Sequence, residues 1–206
     1  MRLLFAGLIA ACGLFAGGVA NAALVSSTAV ANWTVQSPGN PATPGAVLMT
    51  STPSTYGSLF GFTSGVANGW LSNNANGLTS STLGPYFFRQ TFNAVGGDNI
   101  SANLTMLHDN GAVVRFNGFT VHTSAEEVGY AVPDTFAFVR PTQAGINTLE
   151  IEVQNFAGLG QINPVGVSLR VNSSRLEPIP EPASIVLWAC AGGLGLLVRR
   201  RMSRSA

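Results

Sequence analysis

The chain reads as all-β: a single jelly-roll-like β-sandwich flanked by an N-terminal signal helix and a C-terminal hydrophobic helix. Three observations predict it. Between residues 23 and 176 no stretch sustains a helical period, whereas apolar–polar alternation recurs. Clusters of Gly, Asn, Ser and Pro interrupt the alternation at the spacing of a sandwich. Two long runs without charge lie outside this body, one on each side. A body of about 150 residues is enough for one domain with one core.

The elements follow in chain order. Met1-Arg2 opens a short basic region, Leu3 to Val19 is apolar, and small residues at Ala20 and Ala22 suit signal peptidase. Residues 1–22 therefore read as a signal peptide cut between Ala22 and Ala23. Ile9-Ala10-Ala11-Cys12 is a rival lipoprotein box that would leave Cys12 lipidated, although only eleven residues precede it. Ala23 to Val35 and Tyr86 to Phe92 are strand candidates. Ser37 to Gly45, with three prolines, and Ser72 to Gly84, rich in Asn, Ser, Thr and Gly, are loops.

The middle of the body carries the sharpest register. Asn117-Gly118 between two β-prone runs signals a type I′ hairpin pairing Phe116 with Phe119 and Val114 with Val121. Arg115, Thr120 and His122 then share the opposite, polar face. Upstream, a three-residue Asp109–Gly111 loop with Gly111 left-handed sets Met106 opposite Val114 and Leu104 opposite Phe116. The expected buried face is Leu104, Met106, Val114, Phe116, Phe119 and Val121. Thr148 to Gln154 turns Leu149, Ile151 and Val153 inward and its two Glu outward. Val165, Val167, Leu169 and Val171 repeat that pattern, with Gly166, Ser168 and Arg170 outward.

His108 to Gly118, followed by Ala144-Gly145-Ile146-Asn147-Thr148-Leu149 and the strand to Val153, resembles the galactose-binding-like jelly-roll sandwiches. The likeness spans about residues 90–172 and lies in turn and core devices. It implies fold more than function.

The tail, residues 177–206, has three parts: Ile179-Pro180-Glu181-Pro182, an uncharged run Ala183 to Val198, and Arg199-Arg200-Arg201. As a helix, residues 183–198 would span roughly 24 Å, short of a ~30 Å hydrocarbon core. The arginines would hold the 199–206 end on the cytoplasmic side. This arrangement resembles the PEP-CTERM sorting signal of Gram-negative bacteria, in which an exosortase recognises and cleaves the tail. The resemblance implies recognition at Pro180, Glu181 and Pro182, with Arg199, Arg200 and Arg201 as the stop. The competing reading is a permanent anchor, which has no need of Pro-Glu-Pro at its border.

Composition narrows the function. Residues 23–179 hold five Arg against eight acids, a net charge near −3, and the chain has no Lys. Nucleic-acid binding is excluded on that ground. Both cysteines, Cys12 and Cys190, lie in the membrane-directed segments, so the body has no disulfide to staple it.

Catalytic residues are not evident: the chain has no G-x-S-x-G, no H-E-x-x-H and no phosphate loop. His108, Asp109 and His122 are weighed as metal ligands and read instead as solvated hairpin residues. Glu126-Glu127 with Asp134 read as surface loop. Asp98, Asn99 and Asp109 carry the oxygen ligands a structural calcium takes, against the plainer reading of Gly97-Asp98-Asn99 as a turn. No other cofactor is implied. For sugar binding, Trp33, Trp70 and Tyr130, with Tyr56, are the candidate platforms; a lone Trp in a sandwich is more commonly core.

The expectation is a non-enzymatic protein of the cell surface or exopolysaccharide matrix, exported through the inner membrane and held transiently by its tail. Its partners are signal peptidase, exosortase, the membrane and a polysaccharide. A purely structural surface protein and, further back, a secreted hydrolase are the rivals.

Overall fold

The computed structural model describes residues 25, 27–28, 32–40, 45–50, 56–59, 69–76, 81–124, 129–156 and 163–178. The signal segment with Cys12, Ala22 and Ala23, the Glu126-Glu127 pair and the tail from Ile179 lie outside them, as do Pro180, Glu181, Pro182 and Arg199 to Arg201.

Ten strands account for the regular structure: β1 (Thr34–Gln36), β2 (Val47–Leu48), β3 (Trp70–Ser72), β4 (Gly84–Ala94), β5 (Asp98–Asp109), β6 (Gly111–Phe116), β7 (Phe119–Ser124), β8 (Asp134–Pro141), β9 (Gly145–Asn155) and β10 (Gly166–Pro178). They form two antiparallel five-stranded sheets. Sheet A has the order β1-β4-β9-β6-β7 and sheet B the order β2-β3-β10-β5-β8.

The pairings β3–β10, β4–β9, β5–β8 and β6–β7 are nested about the β6–β7 turn. The chain is thus one long hairpin rolled so that successive pairs alternate between sheets, which is the jelly-roll topology. Asn117 (φ 49°) and Gly118 (φ 81°) close its tip, both left-handed as a type I′ turn demands.

Period-two alternation makes the core. From sheet A, Val35, Tyr86, Phe88, Val114, Phe116, Leu149, Ile151 and Val153 point inward; from sheet B, Ile100, Leu104, Met106, Phe136, Phe138, Val167 and Leu169 meet them. Leu149, Ile151, Val153, Val165, Val167 and Leu169 are fully buried, as the alternation predicted. A second cluster of Met49, Tyr56, Leu59, Trp70 and Leu107 covers one end of the outer face of sheet B.

Three parts of the expected register differ. β5 and β6 do not pair: they belong to opposite sheets. Only Asn110 separates them, and its amide donates to the Gln154 carbonyl of β9 at 3.0 Å, steering the chain across the sandwich. Leu104, Met106, Val114 and Phe116 are all buried nonetheless, because two inner faces present them to one core. Gly111 is not left-handed.

The hairpin pairs Phe116 with Phe119 as expected, but a bulge between Val114 and Arg115 sets Val114 opposite His122. Val121 is the extra residue and is half-buried against the core, while Phe119 is 65% exposed. Gly166 and Ser168, expected outward in water, are buried under the second cluster.

Candidate functional site

A network of partly exposed charged side chains lies on the outer face of sheet A. Side chains of one parity line up across the strands in two lateral rows. Thr34, Arg89, Glu150, Arg115 and Thr120 form the first. Gln36, Phe87, Glu152, Val113 and Thr123 form the second. The charged members bond to one another. Arg89 Nε donates to Glu150 Oε2 at 2.6 Å and its Nη1 to Gln36 Oε1 at 2.8 Å. Arg115 Nη1 donates to Glu152 Oε2 at 2.6 Å and, more weakly, to Glu150 Oε1 at 3.4 Å. Gln154 Nε2 donates to the remaining Glu152 oxygen.

The bond to Glu152 is the main reason the Arg115 guanidinium is held above its ordinary pKa. Two arginines and two glutamates cancel, so the face is polar without a net field. The Arg89 guanidinium sits 5.2 Å from the centre of the Phe87 ring, which adds one flat apolar element. These four charged side chains are 15–29% exposed, enough to keep free donor and acceptor positions turned to solvent.

A second polar group occupies the corner where β5 meets β6, and it is packed shut. Asp109 points to the outer side of sheet B and accepts from the Tyr56 hydroxyl; Asn110 Nδ2 donates to its other oxygen at 2.7 Å. Burial raises the Asp109 carboxyl from its ordinary value to about 6, with the Tyr56 bond pulling the other way. Burial first, and the Asp109 charge second, push the Tyr56 phenol far above its usual range. Tyr56 in turn stacks on Trp70 and Tyr130, with ring centres 4.4 and 5.6 Å away.

His108, on the inner side, bonds through Nδ1 to the Asn110 carbonyl and through Nε2 to Ser124 Oγ at 2.9 Å. A carbonyl on Nδ1 makes that nitrogen the proton bearer, so Ser124 donates to Nε2. The pair resembles half a hydrolytic site, but His108 is wholly buried and the backbone of Gly129 lies on its ring. Through these bonds His108 ties the end of β7 to β5.

The residues singled out from sequence fall in several places. Trp33 and Trp70 are core, 3% and 0% exposed, and Trp70 Nε1 donates to the Gly57 carbonyl at 2.9 Å. Tyr130 is half-buried against Tyr56. None of the three offers an open platform. Asp98 and Asn99 open β5 and Asp109 closes it, so the proposed calcium ligands sit at opposite ends of a twelve-residue strand. Among the described residues no group of three His, Cys, Asp or Glu converges on a metal position.

His122 is not on the polar face. The bulge turns it toward sheet B, where it stacks on Phe136 at 4.1 Å and bonds Asp134 at 2.5 Å. The face that emerges instead, centred on Arg89, Phe87, Arg115, Glu150 and Glu152, was half visible in sequence. The two Glu read as outward; that Arg89 and Arg115 flank them depends on β4 and β6 both pairing with β9, which no local pattern reveals.

No protein-family model matches the chain, and no curated protein matches it. Among solved structures it is similar to a lectin from Pleurotus ostreatus in complex with GalNAc, at 15% identity over 71% of this chain and 33% of that one, TM-score 0.36. A family 35 carbohydrate binding module from Clostridium thermocellum is 13% identical over 72% of this chain and 99% of that one, TM-score 0.37. A GH2 β-galacturonidase from Eisenbergiella tayi is 18% identical over 68% and 23%, TM-score 0.35. The chain thus spans about a third of the lectin and a quarter of the galacturonidase. The sandwich assignment rests on its own two sheets.

Proposed function

We propose that this is an exported protein of the cell surface or exopolysaccharide matrix whose sandwich binds uncharged polysaccharide, without catalysis, on the outer face of sheet A. The observation that carries the binding is the pair of polar rows around Phe87. Polysaccharide hydroxyls are both donors and acceptors, and a face of interleaved guanidinium, carboxylate and amide groups supplies both. The Phe87 ring offers the apolar surface that a sugar's C–H face packs against. The charge balance of the rows favours a neutral polymer over a uronate.

Delivery rests on the sequence of the two ends. Signal peptidase cuts between Ala22 and Ala23, residues 183–198 hold the chain in the membrane, and an exosortase recognises Pro180-Glu181-Pro182 and releases the body.

Two experiments test the two halves. The fragment 23–178 contains every core residue from Val25 to Leu176 and is suited to pull-down on insoluble or immobilised glycans. Phe87→Ala and Arg115→Ala are expected to lower retention on a neutral polysaccharide about tenfold each, the loss of one good contact of ~1.4 kcal/mol. Undiminished retention in both variants overturns the assignment of the face. Intact-mass analysis of surface material from the native host tests the tail. Chains truncated near Pro180 are expected; recovery solely of chains ending in Arg-Arg-Arg-Met-Ser-Arg-Ser-Ala leaves a permanent anchor instead.

A further inference from the structure

The tail leaves the sandwich at one defined end. β10 stays paired through its last residue, with Pro178 opposite Asp98 at the start of β5. Thr142 clamps the same point, donating from its amide (2.8 Å) and its hydroxyl (2.9 Å) to the Asp98 carbonyl. Between Pro178 and the apolar run at Ala183 lie four residues, Ile179-Pro180-Glu181-Pro182. Fully extended, the five Cα–Cα steps from Pro178 to Ala183 reach at most ~18 Å.

The three most exposed large hydrophobic side chains among the described residues, Val95, Phe119 and Ile146, lie at that end. Residues 94–97 and 141–148 contain no charged side chain. They present Val95 at 92% exposure and Ile146 at 61%. Phe119 is exposed beside the adjoining β6–β7 turn, with the Arg140 guanidinium 5.7 Å from its ring centre.

The loops are also held firmly. The fully buried Asn147 accepts from Gln143 N (2.9 Å) and Asn117 Nδ2 (2.8 Å), and donates to the Gln143 and Gly145 carbonyls. Gly96 lies so close to Ala144 that a Cβ there would come within 2.7 Å of the Ala144 amide nitrogen.

We infer that this end, through Val95, Ile146 and Phe119, is a membrane-contact surface that rests on the bilayer holding the chain's own tail. The inference rests on the reading of residues 183–198 as membrane-inserted. A tether of at most ~18 Å brings the loops at the Pro178 end to the headgroup layer ahead of the rest of the body. Exposed aliphatic and aromatic side chains partition into that layer, and Arg140 beside Phe119 meets anionic headgroups there. The sheets then stand away from the membrane, with the Asp109 corner outermost and the Arg–Glu face open at the side. Once the tail is cut, the weak contact of these few side chains no longer retains the body.

The chain from Ala23 to Ala206, with Cys190→Ser, is reconstituted into equimolar phosphatidylethanolamine–phosphatidylglycerol vesicles. Fluorescent labels are placed at Val95→Cys and, as the distal control, at Val132→Cys. Val132 is 54% exposed in the turn that follows Gly129 over His108. A headgroup spin-labelled lipid is expected to quench the label at 95 several-fold more than the label at 132. Equal quenching at both positions overturns the contact surface. Quenching of Trp188 by acyl-brominated lipid reports the tail separately, against the constant background of buried Trp33 and Trp70. Trp188 left unquenched overturns the membrane reading of the tail, and the contact surface with it.

Discussion

Asp109 shows how a single buried side chain sets a pH response. Its carboxyl is buried and raised to about 6, above the ~3.9 of an unfolded aspartate. Its contribution to stability is therefore full below about pH 4 and is lost as pH rises through 6, a swing on the order of 3 kcal/mol. Asp109→Asn keeps both bonds, since an amide accepts from Asn110 and donates to Tyr56. The variant is expected to melt above the parent at pH 7.5 and level with it at pH 4, read from thermal melts at both. Tyr56→Phe removes the bond that lowers the carboxyl, so the midpoint of the parent's pH response should move upward. Gly129 makes a different single-residue point. A Cβ there would sit 2.2 Å from a His108 ring carbon, so Gly129→Ala is expected to cost several kcal/mol, on the scale of an overpacked core. Neither effect was legible in the sequence: Asp109-Asn110-Gly111 reads as a solvated turn, and Tyr56 and Gly129 are far from it in the chain.

At the scale of elements, alternation identified what is buried and failed to identify what pairs. Leu149, Ile151 and Val153 in β9 fixed their own faces, because a central strand with period two has one way to sit. β5 and β6 misled, since an inward-facing pattern is satisfied equally by a partner alongside and by a partner opposite. β8 was missed, although Phe136 and Phe138 alternate as clearly as any strand in the chain. The bulge at Val121 leaves no mark in a local pattern, and it turns His122 inward while leaving Val121 half-buried against the core. Asn147 was visible only as a motif position; its role in joining the 117–118 and 141–146 turns needed three loops in space. Phe116 remains the sharp test of the core. With Phe92 and Phe138 rings 6.1 and 5.7 Å from it, Phe116→Ala is expected to cost about 3–5 kcal/mol in denaturant melts. Arg115→Ala, across the sheet in partly exposed ion pairs, should cost no more than about 1 kcal/mol. Gly111→Ala should be nearly neutral, because its backbone is not left-handed and a Cβ would meet Ser124 O at an ordinary 3.6 Å.

For the whole molecule, the rolled hairpin places the last strand in the middle of sheet B, and this governs where the chain can be cut. Up to Val171, β10 fills the core with Val167 and Leu169 and pairs with both β3 and β5. Beyond the bulge at Asn172 it pairs with β5 alone, from Ser173 opposite Asn103 to Pro178 opposite Asp98, and contributes only the partly buried Leu176. A cut after Pro178 keeps every described pair of β10. One after Val171 strips six pairs from β5 and uncovers Ile100 and Ala102, whose other neighbour is the edge strand β8. The fragment 23–178 should therefore unfold in one cooperative transition. The fragment 23–171 should unfold earlier, by several kcal/mol once the ladder bonds and the newly exposed apolar area are counted together. Its amides between Ile100 and Asn103 should exchange with solvent before global unfolding. Equal midpoints for the two fragments in urea would mean that the 173–178 ladder adds no stability, and that a release cut could fall well inside the sandwich rather than beyond Pro178.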